Sequence, residues 1–246
     1  MHKIGVIGGS GISSLKELEI LHREIVSTPY GEASAPLTHG RLGALDLIFM
    51  PRHGSGHTIP PHAINYRANV WAMKELGVEQ IIGLATVGGI TQPPLAMVIP
   101  DQLIDYSWGR EHTFFDGEDG QVSHVDFSSP FCGELRQTLT EAALAAGIDI
   151  VTEGVYGVTQ GPRLETAAEI GRLHADGCDI VGMTALPEAA LAREKGLCYA
   201  TCAIVVNWAA GKGDGVKITQ ELIDANLEIS KKSIGSLLQH LGEGRF

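Results

Sequence analysis

The sequence predicts a single α/β domain with a mixed, mostly parallel central sheet flanked by helices. Short apolar runs, each bounded by Gly, Pro or Asp, alternate along the chain with longer stretches of helical periodicity. No repeat, low-complexity tract or linker divides the 246 residues, and a chain of this length suits one sizeable core. We therefore expect one domain that comprises residues 1–246.

Buried strands are predicted for the apolar runs, which cover residues 4–7, 45–50, 80–85, 97–104, 154–158, 180–183 and 197–206. Helices are predicted between them, at residues 65–76, 133–146, 165–175, 188–195 and 219–241. Pro187 and Thr219 stand where helices would begin, and Gly77, Gly147 and Gly196 follow helical runs as C-terminal caps do. The polar and poorly periodic segment 106–129 is predicted to be a long loop, a type that is often functional.

Charge and hydropathy exclude several classes of partner. The formal net charge is -11 and no basic stripe interrupts it, so a nucleic-acid partner is not expected. The sequence has neither an apolar run of the roughly 20 residues that span a bilayer nor a cleavable signal pattern, which predicts a cytoplasmic protein without a membrane partner. The cysteine spacing suits neither CxxC redox chemistry nor zinc, and we expect buried thiols at Cys132, Cys178, Cys198 and Cys202.

Three polar or glycine-rich segments follow predicted strands, where α/β sheets place their ligands. Glycines leave backbone N–H groups open to an oxyanion, and Arg is the natural bidentate partner of phosphate oxygens. A dinucleotide fingerprint would need glycine at position 14, which is Ser14. Together the segments favour an oxyanion pocket; they are Gly8-Gly9-Ser10-Gly11, Pro51-Arg52-His53-Gly54 and Ala85-Thr86-Val87-Gly88-Gly89.

Five ordered motifs resemble those of the trimeric purine nucleoside phosphorylases, and the resemblance covers nearly the whole chain. It looks closest to the methylthioadenosine phosphorylases through residues 59–74, 130–132 and 196–200. The motifs are Gly8-Gly9-Ser10-Gly11, Arg52-His53-Gly54, Gly161-Pro162-Arg163, Met183-Thr184 and Pro187-Glu188. The resemblance implies the nucleoside phosphorylase fold and a homotrimer, and it leaves open whether trimers pair into hexamers.

Site residues follow from the resemblance as expectations. Met183 would lie against the ribose, and His124 would close the site of a neighbouring subunit. Inorganic phosphate is a co-substrate, and no metal or organic cofactor is needed, because the phosphate itself stabilises and then attacks the cationic sugar. Phosphate would be held by Ser10, Arg52, His53, Ala85, Thr86 and Thr184.

The sequence departs from the methylthioadenosine phosphorylases at the residues that would recognise the base. The methylthioadenosine phosphorylases that this chain resembles share an Asp-x-Asp element. At the corresponding position this chain has Asn207-Trp208-Ala209. An Asn amide can donate to both N7 and O6 of hypoxanthine. Glu165, after Leu164, stands where 6-oxopurine phosphorylases have Glu, and it would accept from the base N1–H. Both changes disfavour adenine, and the expected catalytic residues are Asn207 and His53.

The sugar end predicts an apolar pocket. The similar phosphorylases of ordinary nucleosides share a His near the 5′-hydroxyl of the substrate. In the corresponding region this chain has Ile218 and Leu222, whose apolar side chains would suit a 5′-methylthio group. The expected substrate is therefore 5′-methylthioinosine. The alternatives are a general inosine/guanosine phosphorylase, a methylthioadenosine phosphorylase, a non-catalytic nucleoside-binding protein and, most distantly, an NAD-binding oxidoreductase.

Overall fold

The protein folds as one mixed sheet with helices on both faces. A computed structural model describes residues 3–9, 18–117, 120, 122–215 and 217–243, and the side chains of residues 214 and 243 are outside this description. The strands are β1 Lys3–Gly8, β2 Glu19–Glu24, β3 Leu37–Leu42, β4 Leu45–Pro51, β5 Val78–Gly89, β6 Met97–Val98, β7 Gln102–Asp105, β8 Ile150–Val151, β9 Val155–Val158, β10 Ile180–Gly182 and β11 Cys198–Trp208. The helices are α1 Tyr66–Glu75, α2 Gly133–Ala145, α3 Ala167–Ala175, α4 Ala185–Glu194 and α5 Gln220–Glu243.

The main strand order is β2-β3-β4-β1-β5-β10-β9-β7, while β11 pairs with β5 and β6, and β6 pairs with β8. Six of the ten strand pairings in the described part of the chain are parallel. This confirms the predicted α/β class and the mostly parallel sheet.

Strand β5 has different neighbours at its two ends. Its first half lies beside β1, with Ile7 opposite Gly83, and its last residues pair with antiparallel β10, with Val181 opposite Gly88. Strand β11 runs along the other side of β5. The carboxyl ends of β1 and β10 therefore point toward each other, and between them residues 84–87 pair on that side with no strand of the described part of the chain.

The two faces of the sheet carry separate apolar cores. One core packs α1 and α4 against the sheet through side chains such as Val70, Met73 and Leu191. The other packs α2 and α5 against the opposite face through side chains such as Leu139, Leu237 and Leu241. Both sets are buried, which fixes the strands that border the gap beside β5.

Helix ends follow the predicted signals. Gly77, Gly147 and Gly196 have φ angles of +75°, +67° and +62°, a conformation that glycine adopts without steric cost. Thr166 begins α3 through a capping box with Glu169. The five predicted helices are confirmed. The described part of segment 106–129 contains neither helix nor strand, as predicted for a loop.

Several predicted elements need correction. Strands β2, β3 and β8 were not predicted; β2 reads Glu-Ile-Leu-His-Arg-Glu and is exposed along its whole length, so it lacks the apolar run used to recognise strands. The predicted strand 97–104 is two strands, β6 and β7, separated by residues 99–101. The predicted turn at residues 85–89 is the end of β5, since Gly88 and Gly89 pair with β10 and β11.

The cysteine prediction was half wrong. Cys132 and Cys198 form a disulfide, with a sulfur to sulfur distance of 2.04 Å, whereas Cys178 and Cys202 are buried free thiols as expected. The spacing of 66 residues gave no hint of the pairing. The fold brings the residue before α2 beside the start of β11, where the Cys132 N–H donates to the Tyr199 carbonyl at 2.8 Å. None of the described helices is both long and apolar enough to cross a membrane.

Candidate active site

A cavity of about 630 Å³ opens beside residues 84–87 of β5, which we call the uncovered stretch of this strand. Its wall includes Leu84 to Gly88 from β5, Gly9 after β1, and Gly182 to Thr184 at the end of β10. Thr86 is exposed although it lies in the central strand of the sheet, because its side chain faces this opening. The cavity therefore occupies the position between opposed strand ends where α/β sheets bind ligands.

Arg52 lies at the floor of the cavity, after β4, and its guanidinium is almost completely occupied. Nε and NH2 donate to the two carboxylate oxygens of Glu188 at 2.8 and 2.7 Å. NH1 donates to the Leu84 carbonyl at 3.0 Å, and NH2 also donates to the Ile7 carbonyl at 3.1 Å. Four of its five N–H groups are thus used, and one NH1 hydrogen is left for a ligand in the cavity.

The Arg52 and Glu188 side chains are 2% and 0% exposed, so the ion pair is fully buried. Burial alone would lower the pKa of Arg52, but the charge and hydrogen bonds of Glu188 more than offset it and hold that pKa above its ordinary value. Tyr199 donates its hydroxyl to Glu188 at 2.9 Å. Burial and the Glu188 charge raise the pKa of Tyr199 well above its usual value, which keeps it a donor.

His53 lies on the cavity wall with its ring fixed by Ile59. Its Nδ1 is 2.9 Å from the Ile59 carbonyl, which can only accept, so the proton is on Nδ1. Burial lowers the pKa of His53 to about 4, against the bond to Ile59 and with a smaller contribution from the Arg52 charge. The neutral ring therefore presents Nε2 as an acceptor.

Three further residues expected to hold phosphate belong to the same cavity. Ala85, Thr86 and Thr184 line it. Thr184 precedes the kinked start of α4, and its side chain makes no capping hydrogen bond to that helix. Ser10 lies outside the described residues.

Asn207 reaches the cavity because of a β-bulge. Val205 is opposite Val87 and Asn207 is opposite Gly88, so Val206 is an extra residue in β11. A bulge shifts the alternation of side chains. Asn207 and Ala209 therefore line the cavity, and Trp208 does not. The prediction that Trp208 contacts substrate is corrected: it contributes its carbonyl, which accepts from Asn207 Nδ2 at 2.8 Å.

Glu165 lines the same cavity as Asn207 and lies on the segment that leads into α3. Its Oε1 accepts a hydrogen bond from Thr159 Oγ1 at 2.6 Å, which orients the carboxylate and leaves Oε2 toward the cavity as an acceptor. Leu164 also lines the wall and is 46% exposed. Met183 also lines the cavity, and it packs so closely against Gly161 that a Cβ there would approach its sulfur to 2.4 Å.

The far end of the cavity is apolar, as predicted, but its residues differ from those expected. Ile218 lines it and Leu222 does not. Helix α5 begins only at Gln220, so the four-residue spacing from Ile218 to Leu222 is not a helical turn. Ile223, Leu227 and Ile234 line the cavity instead, and they share one face of α5 through spacings of four and seven residues.

The loop 106–129 is anchored to the site by Arg110, which is 7% exposed. NH1 donates to the carbonyls of Met183 and Leu186 at 2.8 and 2.5 Å, and NH2 donates to those of Thr159 and Gln160 at 3.0 and 2.9 Å. One side chain on the loop thus ties together two segments beside the cavity, residues 159–160 and 183–186. His124, farther along the loop, is exposed and does not line the cavity of its own chain.

Comparison with known proteins identifies the family. Residues 3–241 match the model of a family described as the phosphorylase superfamily. The chain belongs to the phosphorylase superfamily. The resemblance inferred from the five motifs is thereby confirmed.

Relatives of this phosphorylase span nearly the same length. It is 47% identical over 243 residues to a probable S-methyl-5′-thioinosine phosphorylase of Xanthomonas campestris pv. campestris, with 98% of this chain and 97% of the relative covered. It is 45% identical over 245 residues to a 6-oxopurine nucleoside phosphorylase of Pyrococcus furiosus, with 97% and 91% covered. The structure of Schistosoma mansoni methylthioadenosine phosphorylase in complex with adenine superposes with a TM-score of 0.93 at 34% identity, covering 99% of this chain and 91% of that one.

Sequence reasoning missed several residues that organise the site of this phosphorylase. Glu188 was recognised only as part of a motif, although a single carboxylate in the apolar run Ala-Leu-Pro-Glu-Ala-Ala-Leu-Ala is a signal for a buried ion pair. Arg110 gave no signal, since its acceptors are backbone carbonyls of distant segments. No role was predicted for His57, whose ring stacks on that of His53 with centroids 4.5 Å apart.

Proposed function

We propose that the protein is a purine nucleoside phosphorylase that acts on 6-oxopurine nucleosides, preferably 5′-methylthioinosine. The products are hypoxanthine and 5-methylthioribose 1-phosphate. The observation that carries the proposal is the presence of Asn207 and Glu165 on the wall of one cavity. The relatives named for 6-oxopurine and methylthioinosine substrates support it.

In the proposed reaction, a phosphate oxygen forms a bond to C1′ of the ribose as the bond from C1′ to N9 breaks. The electron pair of the broken bond passes to the purine, and the proton that the hydrogen phosphate dianion loses on bonding to C1′ is taken up, by way of solvent, at N7. The sugar becomes cationic during this exchange, so a phosphate anion held between Arg52, Thr86 and Thr184 stabilises it before bonding to it. No step requires a metal or an organic cofactor.

Base selectivity follows from hydrogen-bond direction. One Asn207 Nδ2 hydrogen is donated to the Trp208 carbonyl, so the amide has one hydrogen for the adjacent N7 and O6 acceptors of a 6-oxopurine, rather than the two expected from the sequence. Glu165 Oε2 would accept from N1–H. Adenine would place its N6 donor against the Asn207 donor and its N1 lone pair against the carboxylate. Each mismatch costs about 1–3 kcal/mol.

The apolar end of the cavity favours the methylthio group over a hydroxyl. Ile218, Ile223 and Leu227 offer no hydrogen-bond partner there, and a buried hydroxyl without a partner is unfavourable. The general inosine/guanosine phosphorylase is the second candidate, since the same base residues would serve it.

We further propose that the enzyme is a cytoplasmic homotrimer in which His124 enters the neighbouring subunit's site. The exposed Trp108, Val122 and Val125 of the same loop support a contact there, with 72%, 74% and 37% of their surfaces accessible. Sedimentation analysis gives the number of chains in the assembly.

A phosphorolysis panel tests the substrate. Initial rates with 5′-methylthioinosine, 5′-methylthioadenosine, inosine and guanosine are compared at equal phosphate, and base release is measured with and without phosphate. We expect methylthioinosine to have the highest kcat/KM. Faster turnover of methylthioadenosine would contradict the base assignment, and faster turnover of inosine would contradict the sugar assignment. Binding without phosphate-dependent release would indicate a nucleoside-binding protein.

A further inference from the structure

Three potential metal ligands cluster on the hairpin of β2 and β3, at the edge of the sheet and three strands away from β5. The ligand atoms of His22, Glu24 and His39 all lie within 4.8 Å of one another. His39 Nε2 is 3.0 Å from Glu24 Oε2, and the rings of His22 and His39 stack with centroids 4.1 Å apart. None of the three side chains belongs to the cavity described above.

The backbone brings these side chains together through a second bulge. Ile20 is opposite Gly40, but His22 is opposite His39, so Leu21 is an extra residue in β2. Without it, His22 would face Thr38. His22 and Glu24 then share one face of the strand by the two-residue alternation, whereas Arg23 points to the opposite face. Bulges commonly redirect a side chain in this way.

The donor set fits a borderline transition metal. Two imidazoles and one carboxylate are a known zinc set, with bonds of about 2.0–2.2 Å and one position left for water. Tetrahedral bonds of that length place ligand atoms about 3.3 Å apart, and the His39 to Glu24 separation of 3.0 Å is already close to this. All three residues lie at the surface, so rotation about their side-chain bonds can close the remaining distance.

We propose that His22, Glu24 and His39 form a binding site for a divalent transition metal such as Zn²⁺. Binding replaces the hydrogen bond between Glu24 and His39, and the proton on His39 Nε2 moves to Nδ1 or to solvent. Strand β2 is exposed along its length and its only strand partner in the described sheet is β3. The metal would therefore tie this edge strand to the sheet, independently of the phosphorylase site.

The test uses the full chain, stripped with chelator, and Zn²⁺ alone as the probe. Isothermal titration should give saturable binding of one ion per chain at this site. Loss of one ligand should weaken Zn²⁺ binding by at least about tenfold, because removal of a residue that only hydrogen bonds to a ligand already has an effect of that size. The variants are His39→Ala and Glu24→Gln; the Gln keeps a hydrogen-bond acceptor for His39 and so preserves the hairpin. His174→Ala is the matched control, since His174 is exposed and outside the cluster.

A second readout reports coordination directly. Co²⁺ titrated into the same samples should give visible absorption bands of a low-coordinate nitrogen and oxygen site in the wild type and in His174→Ala, and lose them in His39→Ala. Zn²⁺ affinity that is equal in wild type, His39→Ala and Glu24→Gln would overturn the proposal, because the ion would then bind elsewhere. A loss in His174→Ala as large as that in His39→Ala would overturn it too.

Discussion

Both carboxylate oxygens of Glu188 accept hydrogen bonds from the guanidinium of Arg52, at 2.8 and 2.7 Å, in a place where neither side chain reaches solvent. The pair joins α4 to the end of β4, and through Arg52 to the carbonyls of β1 and β5. The residue expected to meet phosphate is thus oriented by a carboxylate that does not line the cavity.

Replacement of Glu188 by Gln should destabilise the protein and weaken phosphate binding together. Removal of one partner leaves Arg52 buried and unpaired, which costs about 3–5 kcal/mol, and an amide hydrogen of Gln would face an arginine donor. Urea denaturation and the KM for phosphate measure the two effects. The control is Glu169→Gln, which removes the carboxylate of the exposed pair with Arg163 and should cause a much smaller change. Equal effects of the two variants would contradict the role of the buried pair.

Replacement of Asn207 by Asp should shift selectivity toward the 6-amino base. A protonated Asp offers one donor and one acceptor oxygen, the pattern that adenine N7 and N6 require. One corrected mismatch of about 1–3 kcal/mol moves the ratio of kcat/KM for methylthioadenosine over methylthioinosine by roughly tenfold to a hundredfold. Unchanged selectivity would mean that Asn207 does not contact the base.

Glu165→Gln is the companion to that variant. Its amide can donate to adenine N1, so it should also raise the ratio for methylthioadenosine while leaving the KM for phosphate close to that of the wild type. If the phosphate KM rose as much as the nucleoside KM, Glu165 would be acting on the shape of the whole site.

Acid should destabilise the protein through His53. Its pKa in the folded state is about 4, below the ordinary 6.5, because burial disfavours the charged ring. Between these values the unfolded chain takes up a proton that the folded chain refuses. The contribution of neutral His53 to the free energy of unfolding is therefore complete above pH 6.5 and is lost as the pH falls through 4. Urea unfolding at pH 7 and pH 4 should show the wild type losing on the order of 2 kcal/mol more than His53→Gln. Equal losses of stability in the wild type and in His53→Gln would exclude His53 as the source of the acid sensitivity.

Arg110→Lys should raise the KM for the nucleoside by about tenfold or more, since hydrogen bonds from a charged group contribute about 1.5–3 kcal/mol each. A lysine ammonium cannot replace a guanidinium that reaches four carbonyls in two segments. Because Met183 and Thr159 support the nucleoside end, the KM for phosphate should change less. Arg172→Lys is the control, as Arg172 is exposed. A rise in both constants by the same factor would indicate a general loss of structure.

Reduction of the disulfide should lower stability. Closing a 66-residue loop corresponds to about 4 kcal/mol in the chain-entropy model. Thermal unfolding with and without reductant measures the loss, and Cys132→Ala combined with Cys198→Ala should make the protein insensitive to reductant. Thiol titration in denaturant should find two thiols before reduction and four after it. Four thiols in the untreated protein would contradict the bond, and since cytosolic thiols are normally reduced, the result also bears on the predicted location.

The sequence predicts what depends on local pattern and misses what depends on register. Apolar runs and glycine caps located the helices and the buried strands, and the ordered motifs named Arg52, His53 and Thr184, which line one cavity. The assignment of Asn207 rather than Trp208 to the cavity depends on the extra residue Val206 in β11, which no periodicity reveals. The same limit hid Ile223, because the first residue of α5 decides which apolar side chains face inward. Arg110 and the disulfide depend on contacts between distant segments.

Residues 84–87 of β5, which lack a strand neighbour on one side in the described part of the chain, have a consequence for the phosphate that we propose as a co-substrate. At Leu84 the missing neighbour is replaced by Arg52, whose NH1 donates to the carbonyl that a strand would otherwise satisfy. Thr86, two residues after Leu84, points its backbone N–H to the same side of β5. A phosphate oxygen there would accept a hydrogen bond from this N–H. Phosphate in that position would satisfy backbone groups that a neighbouring strand satisfies elsewhere in the sheet, and it would do so only while it is bound. Occupancy of the site and resistance to unfolding should therefore rise together with phosphate concentration.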